Sequence, residues 1–161
     1  MSLPLPLHHE AAIDLGLAPA AAFARLDDHR RLAAHMASPS LMMAGASMRI
    51  ATDALNGQAV GSRIALSGRV LGIRLAVEEA VTAYDPPRRK VWQTLGEPHL
   101  LVIGRYRMGF EVGPREGGSR VALWIDYDLP RRGIGRWLGR WFGRWYAKWC
   151  VAQMLGSLAP T

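Results

Sequence analysis

Five side chains in this sequence combine acid or base chemistry with positions that a folded pocket could use: His35, His99, Tyr106, Tyr127 and Glu79. Proton transfer inside a pocket is the chemistry they would support, yet their spacing forms no known constellation. His35, near the end of its helix, is accounted for by the attraction of a cation to the helix dipole. His99 directly follows Pro98 and is expected to face solvent in a loop. Asp126 and Asp128 stand two residues apart on one strand face, opposite arginines, so ion pairing explains them better than acid–base work. Ser67, Ser119 and Cys150 have no base at a spacing that would activate them, which leaves nucleophilic catalysis unsupported. The histidines are scattered and Cys150 is the sole cysteine, so no metal site, disulfide or cofactor is expected.

The most regular feature is a tetrad repeat near the C-terminus: Gly135-Arg-Trp-Leu, Gly139-Arg-Trp-Phe, Gly143-Arg-Trp-Tyr, Ala147-Lys-Trp-Cys150. A four-residue step overshoots one helical turn by about 40°, so each column of the repeat becomes a stripe. Trp137, Trp141, Trp145 and Trp149 form one, and Arg136, Arg140, Arg144 and Lys148 another. The leading expectation packs the tryptophans on a sheet as core, with arginine stems along the surface. Two functional readings compete with it. In one, Trp141 and Trp145 help to line a ligand cavity; in the other, the basic, tryptophan-rich helix lies on an anionic membrane or docks on a partner. Three interior glycines cost roughly 1 kcal/mol each relative to alanine, which calls for a compensating close approach of another backbone.

These side chains need elements to hold them. Residues 10–15 read as a short strand, and Pro19 suits the first turn of a helix. Ala22, Phe23, Leu26, Leu32, Ala33 and Met36 recur at helical spacing, while Asp27-Asp28 can cap a second helix and split the segment before Pro39 ends it. From Ser47 the period becomes two. Ile64, Leu66 and Val70, then Ile73, Leu75, Val77 and Val81, form a hairpin around Gly72. Lys90 to Leu95 is a further strand between turns at 85–87 and 96–98. Two long strands follow, Leu100 to Val112 and Arg120 to Leu129, joined by a loop at 114–118. Symmetry about that loop sets Arg107 opposite Asp126 and Arg105 opposite Asp128. Last comes a helix over 132–158, longer than about 35 Å. The order of elements defines an α+β chain with one antiparallel sheet.

From Val81-Thr-Ala-Tyr-Asp-Pro-Pro-Arg-Arg-Lys-Val-Trp92 through Gly117-Gly-Ser-Arg-Val121 to the closing helix, the sequence resembles the START-like, or SRPBCC, superfamily of polyketide cyclase/dehydrase-like proteins. The run from Ile13 to Asp27 fits that family's first strand and helix pair. The resemblance implies a helix-grip fold: a curved antiparallel sheet wrapped around a long C-terminal helix, two short helices after the first strand, and an apolar cavity between sheet and helix. It carries over no catalytic motif. On the inward strand faces, Tyr106, Met108, Phe110, Leu123, Ile125 and Tyr127 offer apolar surface with two phenols, and Met42 and Met43 suit a pliable entrance. A filled core fits the same pattern as well as an open pocket.

At 161 residues the chain forms one domain, with residues 1–8 expected to be disordered. The net charge of +7 is local: six of twenty cations fall between Arg131 and Lys148, a segment without acids, leaving a nearly neutral body. Lacking a basic leader and any long apolar run, the chain is expected to be cytoplasmic, with membrane association through the last helix as the exception. Nucleic acid ranks last among partners, because no recognised module is present. The first functional reading is therefore a carrier or sensor of a hydrophobic small molecule or lipid. The alternative is a polyketide cyclase/dehydrase-like enzyme, and both monomer and homodimer stay open.

Overall fold

The computed structural model describes residues 4–32, 34, 48–70 and 72–158. Strand β1 (Leu7–Leu15) leads into helices α1 (Pro19–Asp27) and α2 (His29–Leu32). Strands β2 (Met48–Thr52), β3 (Arg63–Val70), β4 (Ile73–Asp85), β5 (Arg89–His99), β6 (Tyr106–Arg115) and β7 (Gly118–Tyr127) follow, and helix α3 (Gly133–Gly156) closes the chain. All seven strands form one antiparallel sheet in the order β1-β7-β6-β5-β4-β3-β2. The architecture is the α+β one expected from the order of elements, in the helix-grip arrangement that the resemblance implies.

Alternation explains the strands. In β3 and β7, every second side chain is buried and its neighbours face outward, as a sheet with one covered face requires. Asp28 splits the helical segment by accepting hydrogen bonds from the backbone N–H groups of Arg30 and Arg31, at 3.2 and 3.3 Å. His35, Met42 and Met43 lie outside the described residues.

Four boundaries differ from the sequence reading. Leu7 and His8 pair with Tyr127 and Asp126, so they belong to the sheet and not to a disordered end. Strand β5 runs through Gly96, Glu97 and Pro98 to His99, because a bulge between the Ala76 and Glu78 pairings absorbs the extra residues. The apolar run at 100–102, read as the start of a strand, instead supplies the backbone on which α3 rests. The β6–β7 connection is a tight turn at Glu116-Gly117, with Gly117 at φ 77°, where the sequence suggests a longer loop.

The tetrad repeat is oriented by its small residues. Gly135, Gly139, Gly143 and Ala147 are buried, while Trp137, Trp141 and Trp145 face away from the sheet. A Cβ on Gly139 would stand 2.7 Å from Pro130 and 2.9 Å from the Val102 carbonyl oxygen; on Gly143 it would stand 2.6 Å from Leu129. Only glycine permits this approach, and a helix seated on that stripe must turn its tryptophan stripe outward. The expectation of three core tryptophans at these positions is thereby corrected.

Candidate functional site

Strand alternation places an acid in the core. Glu79 sits between Val77 and Val81 on the inward face of β4 and is buried with them. Tyr106, the first residue of β6, donates its phenol O–H to one Glu79 carboxylate oxygen. The other oxygen lies 3.1 Å from Nε2 of His29, the first residue of α2. None of the three side chains is more than 6% exposed. With Glu79 ionised the carboxylate only accepts, so His29 carries its proton on Nε2. Nδ1 of His29 is buried with no hydrogen-bond partner among the described residues, which is costly in a site of low polarity. Trp92 fixes the imidazole edge-on, with ring centroids 5.1 Å apart.

Beside this trio lies a second buried polar group. The ammonium of Lys90, fully buried, stands 3.0 Å from Asp27 Oδ1 and 3.2 Å from the Asp27 carbonyl. Asp27 Oδ2 also accepts from the Tyr84 phenol at 2.6 Å and from Gln58 at 3.3 Å. Burial holds the Lys90 pKa below its ordinary value against the pull of Asp27, and burial together with Asp27 pushes Tyr84 up to about 12. Every oxygen of Asp27 is thus engaged, so this group reads as a structural tie between α1 and the sheet.

His29, Glu79 and Tyr106 form the polar end of an interior cavity of about 40 Å³, room for roughly three waters. Its other walls are mainly apolar, among them Met48, Met108, Ile125 and Met154, with Tyr146 and Cys150 contributed by α3. Burial raises Tyr106 well above the usual phenol range, assisted by the negative charge of Glu79, and raises Tyr146 likewise. Cys150 is pushed up to about 12 by burial. These groups therefore stay protonated at neutral pH and act as hydrogen-bond donors, not as bases or nucleophiles.

The structure sorts the sequence candidates. Tyr106, Met108 and Ile125 are in the cavity wall. Phe110 and Leu123 lie in the solid core, where Phe110 packs on Phe23 and Trp92. Tyr127 faces a separate surface cleft with His8, His9, Arg144 and Lys148. Trp141 and Trp145 are 71% and 58% exposed and cannot line the interior. Arg136, Arg140, Arg144 and Lys148 are all exposed. His99 is exposed at the end of β5 and not in a loop. Arg105 binds Asp128 through its backbone N–H and its guanidinium, as the register implied. Arg107 does lie opposite Asp126, but its guanidinium covers the Trp124 ring while Asp126 bonds His8. His29 was the residue that sequence reasoning passed over: nothing in its spacing marks it, since it meets Glu79 only when α2 is laid on the sheet.

Comparison with known proteins agrees with this architecture. TTHA0849 from Thermus thermophilus superposes with a TM-score of 0.66 at 16% identity, covering 94% of each chain. The Zhui aromatase/cyclase from Streptomyces sp. R1128 gives 0.66 at 12% identity, covering 94% of this chain and 90% of its own. CV1439 from Chromobacterium violaceum gives 0.61 at 14%, covering 97% and 99%. At such identities the likeness speaks for the fold alone. Comparison with curated proteins gives no match. The family model described as polyketide cyclase / dehydrase and lipid transport matches residues 7–161, nearly the whole chain, and the protein belongs to that family.

Proposed function

We propose that this protein binds a mostly apolar small molecule between the sheet and α3, with a polar end of the ligand held by His29, Glu79 and Tyr106. The observation that carries the reading is the Nδ1 of His29, without a partner among the described residues, beside a carboxylate and a phenol, in the wall of an otherwise largely apolar cavity. A ligand hydrogen bond there would satisfy an atom that the described residues leave unsatisfied. The description of the family, which joins cyclase/dehydrase activity with lipid transport, supports a hydrophobic ligand of either kind. Ligand sites commonly measure about 300–1,000 Å³, against about 40 Å³ for this cavity. Binding therefore requires the walls to give way, and the flexible thioethers of Met48, Met108 and Met154 are suited to that.

A second reading, cyclase/dehydrase-like catalysis, is favoured by one feature: Glu79 orients the His29 imidazole, which could then relay a proton to or from a bound substrate. Tyr106, its O–H committed to Glu79, keeps its phenol oxygen free to accept a hydrogen bond from a ligand hydroxyl. Native mass spectrometry of freshly purified protein, with extraction of bound compounds, tests the binding reading. An apolar compound in stoichiometric amount is expected, depleted in Met108→Phe and in His29→Leu. A mass equal to that of the chain alone, with no apolar compound in the extract, overturns it. Turnover of an extracted compound by wild type and not by His29→Gln would add the catalytic reading.

A further inference from the structure

With its small residues pressed against the fold, α3 turns its largest apolar side chains to solvent. Trp137 is 72% exposed, Ile134 63% and Phe142 46%, in addition to Trp141 and Trp145. Successive tryptophans of the repeat are only about 40° apart around the axis, so the three form one outward ridge along the helix. Their rings lean on neighbours along it: Trp137 on Trp141 at 6.4 Å, and Phe142 on Trp145 at 6.5 Å. Along one flank of the ridge run Arg136, Arg140, Arg144 and Lys148, none of which makes an ion pair among the described residues. Contiguous apolar surface of this kind marks an interaction site.

We propose that this face of α3 docks the protein on an anionic lipid bilayer. Tryptophan is the side chain best suited to the boundary between head groups and acyl chains, and a row of cations beside it matches acidic head groups. The charge pattern selects this occupant over a second copy of the chain. From Arg131 onward the chain has no acidic residue, so pairing the face with itself would set cation against cation. Nor does the helix span a bilayer: no helix among the described residues is long and apolar enough to cross a membrane. It would lie flat, with the sheet held above the lipid by the glycine stripe on its opposite side.

The test is co-sedimentation of the full chain with vesicles of phosphatidylcholine alone and of phosphatidylcholine doped with phosphatidylglycerol, at low and high salt. Binding is expected only to the anionic vesicles and should weaken with salt. The triple variant Arg136→Gln, Arg140→Gln, Arg144→Gln should bind on the order of 100-fold more weakly at low salt, from about one kcal/mol per cation. The triple variant Trp137→Ser, Trp141→Ser, Trp145→Ser should lose the binding that survives high salt. Both replace exposed side chains, and circular dichroism checks that they fold. No binding to anionic vesicles at low salt overturns the proposal, as does equal binding by wild type and both variants. A dimer in sedimentation velocity that the tryptophan variant dissolves, without vesicle binding, would assign the face to a second copy. Retention on a single-stranded oligonucleotide, again without vesicle binding, would assign it to nucleic acid. The outcome is independent of the cavity, which these residues do not line.

Discussion

Cys150 shows how position governs a residue more than its type. Its thiol sits in the cavity wall beside Tyr146, and burial lifts its pKa from 9.0 to about 12. A thiol so raised keeps its proton in the folded state while the unfolded chain releases it. The stability this confers is fully present below pH 9 and is lost as pH rises from 9 toward 12. Tyr84, raised from 10.0 to about 12, loses its contribution in the upper part of the same window. Lys90, with a lowered pKa, acts in the opposite sense, since the unfolded state holds its proton longer. Urea denaturation at a series of pH values should show the stability of Cys150→Ala falling less steeply between pH 9 and 10 than that of wild type, by roughly 1 kcal/mol. Parallel curves would mean that the thiol is solvated in the folded protein.

At the scale of elements, α3 inverts an ordinary rule. Replacing a helix-interior glycine with alanine usually stabilises by up to about 1 kcal/mol. At Gly139 the new methyl would meet the Val102 carbonyl oxygen and the Pro130 ring at 2.9 and 2.7 Å, backbone and ring atoms that cannot swing aside. Gly139→Ala is therefore expected to destabilise by about 1–3 kcal/mol, the usual cost of overpacking. Gly156, where an added methyl would meet nothing within 4 Å among the described residues, is the control, and Gly156→Ala should be neutral or slightly stabilising. Urea midpoints of the two variants decide the matter: a stabilised Gly139→Ala would show that the helix does not rest on this stripe. The same packing explains why three tryptophans became surface. The close contact selects the narrowest side of the helix, and hydrophobicity alone would have selected the widest.

For the whole molecule, the edge strands matter most. β1 pairs with β7 from Leu7 opposite Tyr127 to Leu15 opposite Ser119, and so covers what would otherwise be a long exposed edge. β7 is buried on alternate residues, and stripped of β1 it would present unpaired N–H and C=O groups beside apolar side chains. Deleting residues through Leu15 should therefore give a protein that associates, read by light scattering against the full chain at equal concentration. A truncated chain that stays at the size of the full one would show that β1 is dispensable. Charge follows a different geography, with its excess confined to the last helix and its flank. The sheet and α3 thus present two chemically distinct faces, one enclosing a cavity and one turned to the surroundings.

Much of this was legible in the residues. Period-two runs identified β3, β4, β6 and β7, Asp28 marked the break between α1 and α2, and the tetrad repeat announced one long terminal helix. Glu79 was readable as a candidate because it falls in step with Val77 and Val81, and Tyr106, Met108 and Ile125 because they share inward strand faces. These are local signals, carried by spacing along a single element. Two features were decided only by tertiary structure, because each depends on how separate elements are laid together. His29 joined Glu79 across fifty residues of sequence once α2 was set against the sheet. The tryptophan ridge turned outward because backbone at 100–102 and the side chains of Leu129 and Pro130 came within reach of the glycine stripe. Periodicity says which residues share a face of a helix, whereas the partner that approaches closest decides which face is buried.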